Sequence, residues 1–310
     1  MCRSALNPPS KYPRQRRPLA SRQNANRLLT LERTPGMAVP DDVPIRIREV
    51  WDRNALREFK HIGRLKRIFS TVSIDTEFPG CILSNTIRPE QVSEEEHKYQ
   101  VLKANVDMLK LIQFGITLTN KRGELPMIGG QYCIWQFNMR DFDITTDMFV
   151  PSSIQLLQNS GIDFERNRRD GIDSGRLGSL LVKFKFISNP RIRYVCYQGD
   201  YDFAYLIKAV TGELMPSTLV EFMKLRKNMF GPIYDVRHTQ LHHFHTVCGL
   251  QRFSDSLGIK RICGAAHQAG SDSLLTSSTY QRLKSLPIKP LRGKGLDKQV
   301  LKTFRQFFLE

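Results

Sequence analysis

An α/β domain built on a mixed β-sheet flanked by helices, occupying residues 43–286, is the fold class this sequence predicts. Three observations lead there. Period-two apolar runs follow one another in the first half of the chain, strands alternate with helical patterns in the second, and apolar residues make up 40 % of the 310, enough for a sizeable core. The same composition excludes wholesale disorder, a collagen-like fibre and a membrane-spanning chain.

In order along the chain, Val50, Leu56, Phe59, Ile62 and Leu65 recur at helical spacing and predict an amphipathic helix. The β-branched run Ile68–Ile74 predicts a buried strand. Beyond a polar loop with Glu94–Glu96, the apolar positions Tyr99, Leu102, Val106 and Leu109 return at three and four, a second helix. Ile112, Phe114, Ile116 and Leu118 alternate at period two, and Asn120-Lys121-Arg122-Gly123 turns the chain toward a strand around Tyr132–Phe137. These first three strands read as an antiparallel meander or hairpin set. Residues 150–187 read as mostly helical, with a polar break at Phe164–Gly175. Ile192–Tyr197 is a strand, Asp202–Val210 a helix closed by Gly212, and Thr218 with Glu221 a capping box for the next helix. Ile233–Val236 is a short strand, His238–His245 and Leu250–Leu257 are helical, and Ser271–Leu286 is a final helix with Leu275, Leu283 and Leu286 on one side. There is no internal repeat and no Gly-rich phosphate loop.

The chain carries 47 basic and 30 acidic side chains, a formal charge of +17, which points toward polyanions. Residues 1–42 hold net +5, residues 287–310 net +4, and the domain between them net +8. Pro8, Pro9, Pro13, Pro18, Pro35 and Pro40, with no acid before Glu32, make residues 1–42 a disordered basic extension. Its acid-poor composition with Arg and Ser also fits an organelle transit peptide, and Arg14-Gln15-Arg16-Arg17 fits a nuclear signal. Residues 287–310 form a basic C-terminal tail. Cys2, Cys81, Cys133, Cys196, Cys248 and Cys263 show no CxxC spacing and follow no signal-peptide core, so a reduced cytosolic or nuclear compartment is expected and no zinc ribbon is written here.

Three segments carry carboxylates with chemical potential. The first strand ends in Asp75-Thr76-Glu77-Phe78-Pro79-Gly80, and strand geometry projects Asp75 and Glu77 together while Ile74 and Thr76 face the other side. Adjacent carboxylates repel unless a cation lies between them, and hard oxygen ligands suit Mg²⁺ or Mn²⁺. Taken alone, the pair also reads as two solvent-facing acids. Asp202 stands in the first turn of a helix, where an acid also serves as a dipole partner or cap. His267 precedes Asp272 by five residues, again at a helix start, and a surface or capping role is the ordinary alternative. His238 and His242 have the i, i+4 spacing of a helical metal pair, but no HExxH glutamate accompanies them, and a solvated face is expected for the cluster with His243 and His245. Trp51 and Trp135 read as core or rim aromatics rather than base-stacking platforms.

Together, Asp75, Glu77, Asp202 and Asp272, with His267 five before the last, resemble the DEDD exonucleases with a histidine, whose fold is ribonuclease-H-like. The runs DTEFPG (75–80), YQVLKANVDMLKLIQFGITL (99–118), WQFN (135–138), YDFAYLIK (201–208), IYDVRH (233–238) and HQAGSDSLLTS (267–277) are similar to the Caf/Pop-type deadenylase subunit of the Ccr–Not complex, particularly its plant forms, across residues 45–286. The resemblance implies a 3′→5′ exoribonuclease that shortens poly(A) tails and releases 5′-AMP with two divalent ions, Mg²⁺ or Mn²⁺. It implies Asp75 bridging both ions, Glu77 and Asp272 on the first, Asp202 on the second, and His267 as the base that takes a proton from the attacking water. Single-stranded poly(A) RNA, a Not-type scaffold and a Ccr-type nuclease are the implied partners, with no membrane, and the cytoplasm and nucleus the implied location. Two departures stand out. Tyr197-Gln198-Gly199-Asp200 replaces a Phe-His-Ser-Gly type run, placing Asp200 to compete for the second ion, and residues 287–310 lack the family's Tyr-Gly-Leu-Gly type ending. They leave open a catalytically weak scaffold of the same fold, and a DEDD exonuclease of other nucleic-acid specificity is a further alternative.

Overall fold

The computed structural model describes residues 44–84 and 91–286; the expected basic tails lie outside the described residues. β1 (Ile45–Val50) leads through Trp51 into α1 (Asp52–Leu65). β2 (Thr71–Glu77) and β3 (Gln113–Thr119) are joined through α2 (Glu94–Met108), whose first amides are capped by the Ser93 hydroxyl on Glu96 N at 3.2 Å. The two-residue β4 (Met127–Ile128) precedes β5 (Gln131–Asn138). Three helices follow, α3 (Pro151–Asn159), α4 (Phe164–Asp170) and α5 (Ser174–Lys183). Then come β6 (Arg193–Cys196), α6 (Asp200–Thr211), α7 (Leu219–Phe230) and β7 (Ile233–Asp235). The chain continues through α8 (Val236–Thr239), a π-helical turn at Gln240–Phe244, α9 (Leu250–Ser256) and α10 (Ala269–Ser285).

The strands form one sheet in the order β1-β5-β3-β2-β6-β7, with β4 on β5. β3 runs antiparallel to β5 and β2, while β6 lies parallel to β2 and β7 parallel to β6. This mixed sheet flanked by helices, with its central strand β2 between an antiparallel and a parallel neighbour, is the ribonuclease-H-like architecture that the resemblance implies. The expected meander of β2, β3 and β5 is present. β1 and β4 are additions to it. Val50, counted above with the first helix, instead ends β1, which pairs in parallel with β5 from Ile45 opposite Tyr132 to Val50 opposite Phe137.

Two further segments depart from expectation. The polar stretch after Asp163 is mostly helix α4, because the Asp163 carboxylate accepts from Arg166 N at 2.9 Å and satisfies a first-turn amide. α10 is buried on nearly all sides, and its hydroxyls make this possible: Ser278 and Thr279 donate to carbonyls one turn back at 2.9 and 2.8 Å, and Ser273 Oγ meets Thr117 Oγ1 on β3 at 2.9 Å. The main core joins α1, α2, α5, α6 and α7 to the sheet, with Phe59 in ring contact with Phe137, Phe184 and Phe186. Trp135 is fully buried and donates from Nε1 to Glu58 at 3.2 Å, and Trp51 packs under the Arg166 guanidinium, so both tryptophans are structural as expected. Among the described residues, no helix is long and apolar enough to cross a membrane.

Candidate active site

β2 delivers Asp75 and Glu77 near its C-terminal end, with Gly115 and Gln113 as their cross-strand partners on β3. α10 crosses that pair, and Gly115 sets how closely: a Cβ there would lie 1.9 Å from the Ala269 carbonyl oxygen. The missing side chain brings the start of α10 onto the sheet. One carboxylate oxygen each from Asp75, Glu77 and Asp272 then lie within 4.8 Å of one another, the one such group of metal-ligating side chains among the described residues. The four-histidine segment forms no such group there, since the chain passes from α8 into a π-helical turn that ends at His245 in the left-handed region.

The N-terminus of α10 is held by side-chain amides. Ala269 N donates to Gln113 Oε1 at 3.3 Å and Gly270 N to Gln136 Oε1 at 3.1 Å. Gln113 is fixed in turn by Asn138 and Gln136 by Glu49, while Gln268 donates to the Ser160 carbonyl at 2.7 Å. Asp272 is clamped as well: Oδ1 accepts from Arg261 Nη2 at 2.6 Å and Oδ2 from the His267 backbone N–H at 2.8 Å. His267 adopts φ +62°, and with Asp75, Glu77, Tyr197, Arg261 and Asp272 it lines a cleft of 440 Å³.

Asp202 takes a different position. It is buried in the first turn of α6, and its Oδ1 accepts a short hydrogen bond from Thr76 Oγ1, so it stands outside the three-carboxylate group. Thr76, on the face of β2 turned away from Asp75 and Glu77, is the link. Asp200 is turned aside: it pairs with Arg226 at 2.6 Å on the surface and does not join the cluster.

Burial raises Asp75 well above the usual carboxylate range, and the charges of Asp202, Asp272 and Glu77 add to it while Arg261 opposes. Glu77 is raised by burial, then by Asp272 and Asp202. Asp202 is pushed up to about 7, chiefly by burial, against the Thr76 hydrogen bond. Converging hard oxygen donors that repel one another in a partly desolvated cleft fit a divalent cation. Of the residues that build this site, Arg261, Gln113, Gln136 and Gly115 escaped sequence reasoning. An isolated glycine between Phe114 and Ile116 in a strand does carry a signal, since it marks a place where another backbone comes close.

Carboxylates from β2, α6 and α10 gathered at the end of a central strand define the class as a metal-dependent nuclease. Residues 50–174 match the CAF1 family ribonuclease, and the probable CCR4-associated factor 1 homolog 10 of Arabidopsis thaliana is 41 % identical over 241 residues, covering 77 % of this chain and 86 % of that protein. The chain belongs to the CAF1 family of ribonucleases. The poly(A) ribonuclease pop2 of Schizosaccharomyces pombe is 38 % identical over 241 residues, 77 % of this chain and 69 % of that one. A solved structure of S. pombe Pop2p in its Mg²⁺- and Mn²⁺-bound form is similar with a TM-score of 0.73 at 35 % identity, over 83 % of this chain and 96 % of that chain. Yeast CAF1 co-crystallised with the NOT1 MIF4G domain gives a TM-score of 0.62 at 27 % identity, over 77 % and 88 %.

Proposed function

We propose that this chain is a poly(A)-specific 3′→5′ exoribonuclease that shortens mRNA tails and releases 5′-AMP, acting within a Ccr–Not-type assembly. The observation that carries the proposal is the convergence of Asp75, Glu77 and Asp272 within 4.8 Å in a chain of the CAF1 ribonuclease family. Asp75, Glu77 and Asp272 would hold one divalent ion, and Asp75 with Asp202 a second. Such a pair supplies charge stabilisation to both the attacking and the leaving oxygen of an in-line displacement at phosphorus. His267 faces the same cleft and takes the proton of the attacking water, its backbone tethered to Asp272 so that base and carboxylate move together. Arg261 orients Asp272 from the opposite side.

Adenine specificity rests on the relative named a poly(A) ribonuclease. Docking to a Not-type scaffold rests on the solved NOT1–CAF1 pair, and a Ccr-type nuclease partner on the relatives named CCR4-associated factors. Unpaired cysteines throughout the described residues and the basic extension support a cytoplasmic and nuclear location. The scaffold alternative loses its support at Asp200, which is occupied by Arg226. The purified chain with Mg²⁺ and 5′-labelled poly(A) is expected to give 3′ shortening that disappears in Asp75→Ala. Shortening that survives this substitution, or none from the parent chain, overturns the proposal, and equal rates on poly(U) or single-stranded DNA overturn the specificity.

A further inference from the structure

At the end of the sheet opposite the carboxylates, where β2 and β6 begin, a second cavity of 630 Å³ lies between the exit of α1 and the segment 183–191. Lys66, Arg67, Lys183, Lys185 and Arg191 stand on its walls, and no acid does. None of these five cations has an ion-pair partner among the described residues, although nine arginines elsewhere do.

The support beneath them is fixed. Lys66 Nζ donates to the Lys185 carbonyl at 2.7 Å and Asn189 Nδ2 to the same oxygen at 2.8 Å, holding Lys185 at φ +55°. Ser188, at φ +53°, is tied to α7 through Met229 O at 2.6 Å and Asn228 O at 3.1 Å. Non-glycine residues in this backbone region persist only where surrounding bonds over-determine them. Burial holds the Lys66 ammonium below its usual range, with Lys185 and Arg67 adding repulsion that a bound anion relieves.

We propose that this cleft is a second RNA contact, gripping the phosphodiester backbone upstream of the 3′ end held at the carboxylates. The inference rests on the nuclease reading above. Several separated cations, two of them guanidinium forks, match a chain of regularly spaced phosphates. From Ser70 to Glu77 the strand spans about 23 Å, a distance that about seven stacked nucleotides cover. Only longer RNA engages both sites.

The test is the full-length chain carrying Arg67→Gln, Lys183→Gln and Arg191→Gln together, exposed side chains remote from the carboxylates. It is compared with the parent on oligoadenylates of about five and about thirty nucleotides. The short substrate is expected to keep its kcat and KM. The long one is expected to lose at least about tenfold in affinity, with the slope of log affinity against log salt shallower by about 2, from roughly 0.7 per lost phosphate contact. Unchanged long-RNA affinity overturns the proposal and leaves the cleft to an acidic protein partner; equal weakening of both lengths overturns it too. Anisotropy of labelled long RNA in chelator reads the cleft without turnover, so failure of the parent to cut the short substrate counts against the nuclease reading alone. Arg191→Glu alone must shift long-RNA binding in the same direction.

Discussion

Asp75 is pressed by burial and by the charges of Asp202, Asp272 and Glu77. Removing one of these charges therefore has opposite effects on stability and on chemistry. Asp75→Asn is expected to abolish poly(A) shortening, by at least about a thousandfold, while raising the Tm measured in chelator. The same crowding fixes a pH dependence. Asp202 keeps its proton to about pH 7 in the folded chain and loses it near the ordinary carboxylate value when unfolded. Between those values the folded state binds the extra proton, so stability falls as pH rises, the reverse of a salt-bridged acid. In chelator, Tm is expected to drop by several degrees from about pH 5 to about pH 8, Mn²⁺ is expected to restore it at the upper end, and Asp202→Asn to make the profile shallower, Asp75 and Glu77 being raised in the same direction. A Tm independent of pH in chelator defeats this account. At this scale the sequence was informative: the five positions proposed to carry the chemistry stand out through DTEFPG, YDF and HQAGSD. What it concealed was that Thr76 hydrogen-bonds Asp202 and that Arg226 pairs with Asp200, since both are contacts between distant residues.

The site exists only because α10 lies flat on β3, and Gly115 permits it. Gly115→Ala drives a methyl group into the Ala269 carbonyl, so α10 must lift and carry Asp272 with it. The expected outcome is at least about a hundredfold loss of activity with a markedly lower Tm, because overpacking against backbone has no flexible neighbour to yield. Elements with strong local punctuation were readable, such as α7 behind its Thr218–Glu221 box and α6 ended by Gly212 at φ +71°. β1 was not, although Ile45 and Ile47 alternate with Arg46 and Arg48, because its partner β5 lies more than eighty residues away and Val50 also fits the stripe of α1. α10 misled in another way. Three leucines on one side predict a one-sided helix, yet it is buried nearly all round, with Ser278 and Thr279 bonded within the helix and Ser273 to Thr117.

Across the whole molecule the +17 divides between two tails and a domain whose candidate site is a cluster of carboxylates. The tails are expected to act on binding rather than on chemistry. A chain limited to residues 43–286 should show weaker RNA binding and a flatter salt dependence, with turnover at saturating RNA nearly intact; an unchanged slope rejects that role.

One consequence of α10 concerns time. Asp75 and Glu77 leave the ribosome about two hundred residues before Asp272, an interval on the order of ten to forty seconds at ~5–20 residues per second. Through that interval the nascent chain carries Asp75 and Glu77 but lacks the third carboxylate of the group. The position of Asp272 late in the sequence thus makes the three-carboxylate group a property of the nearly complete domain and of no shorter segment.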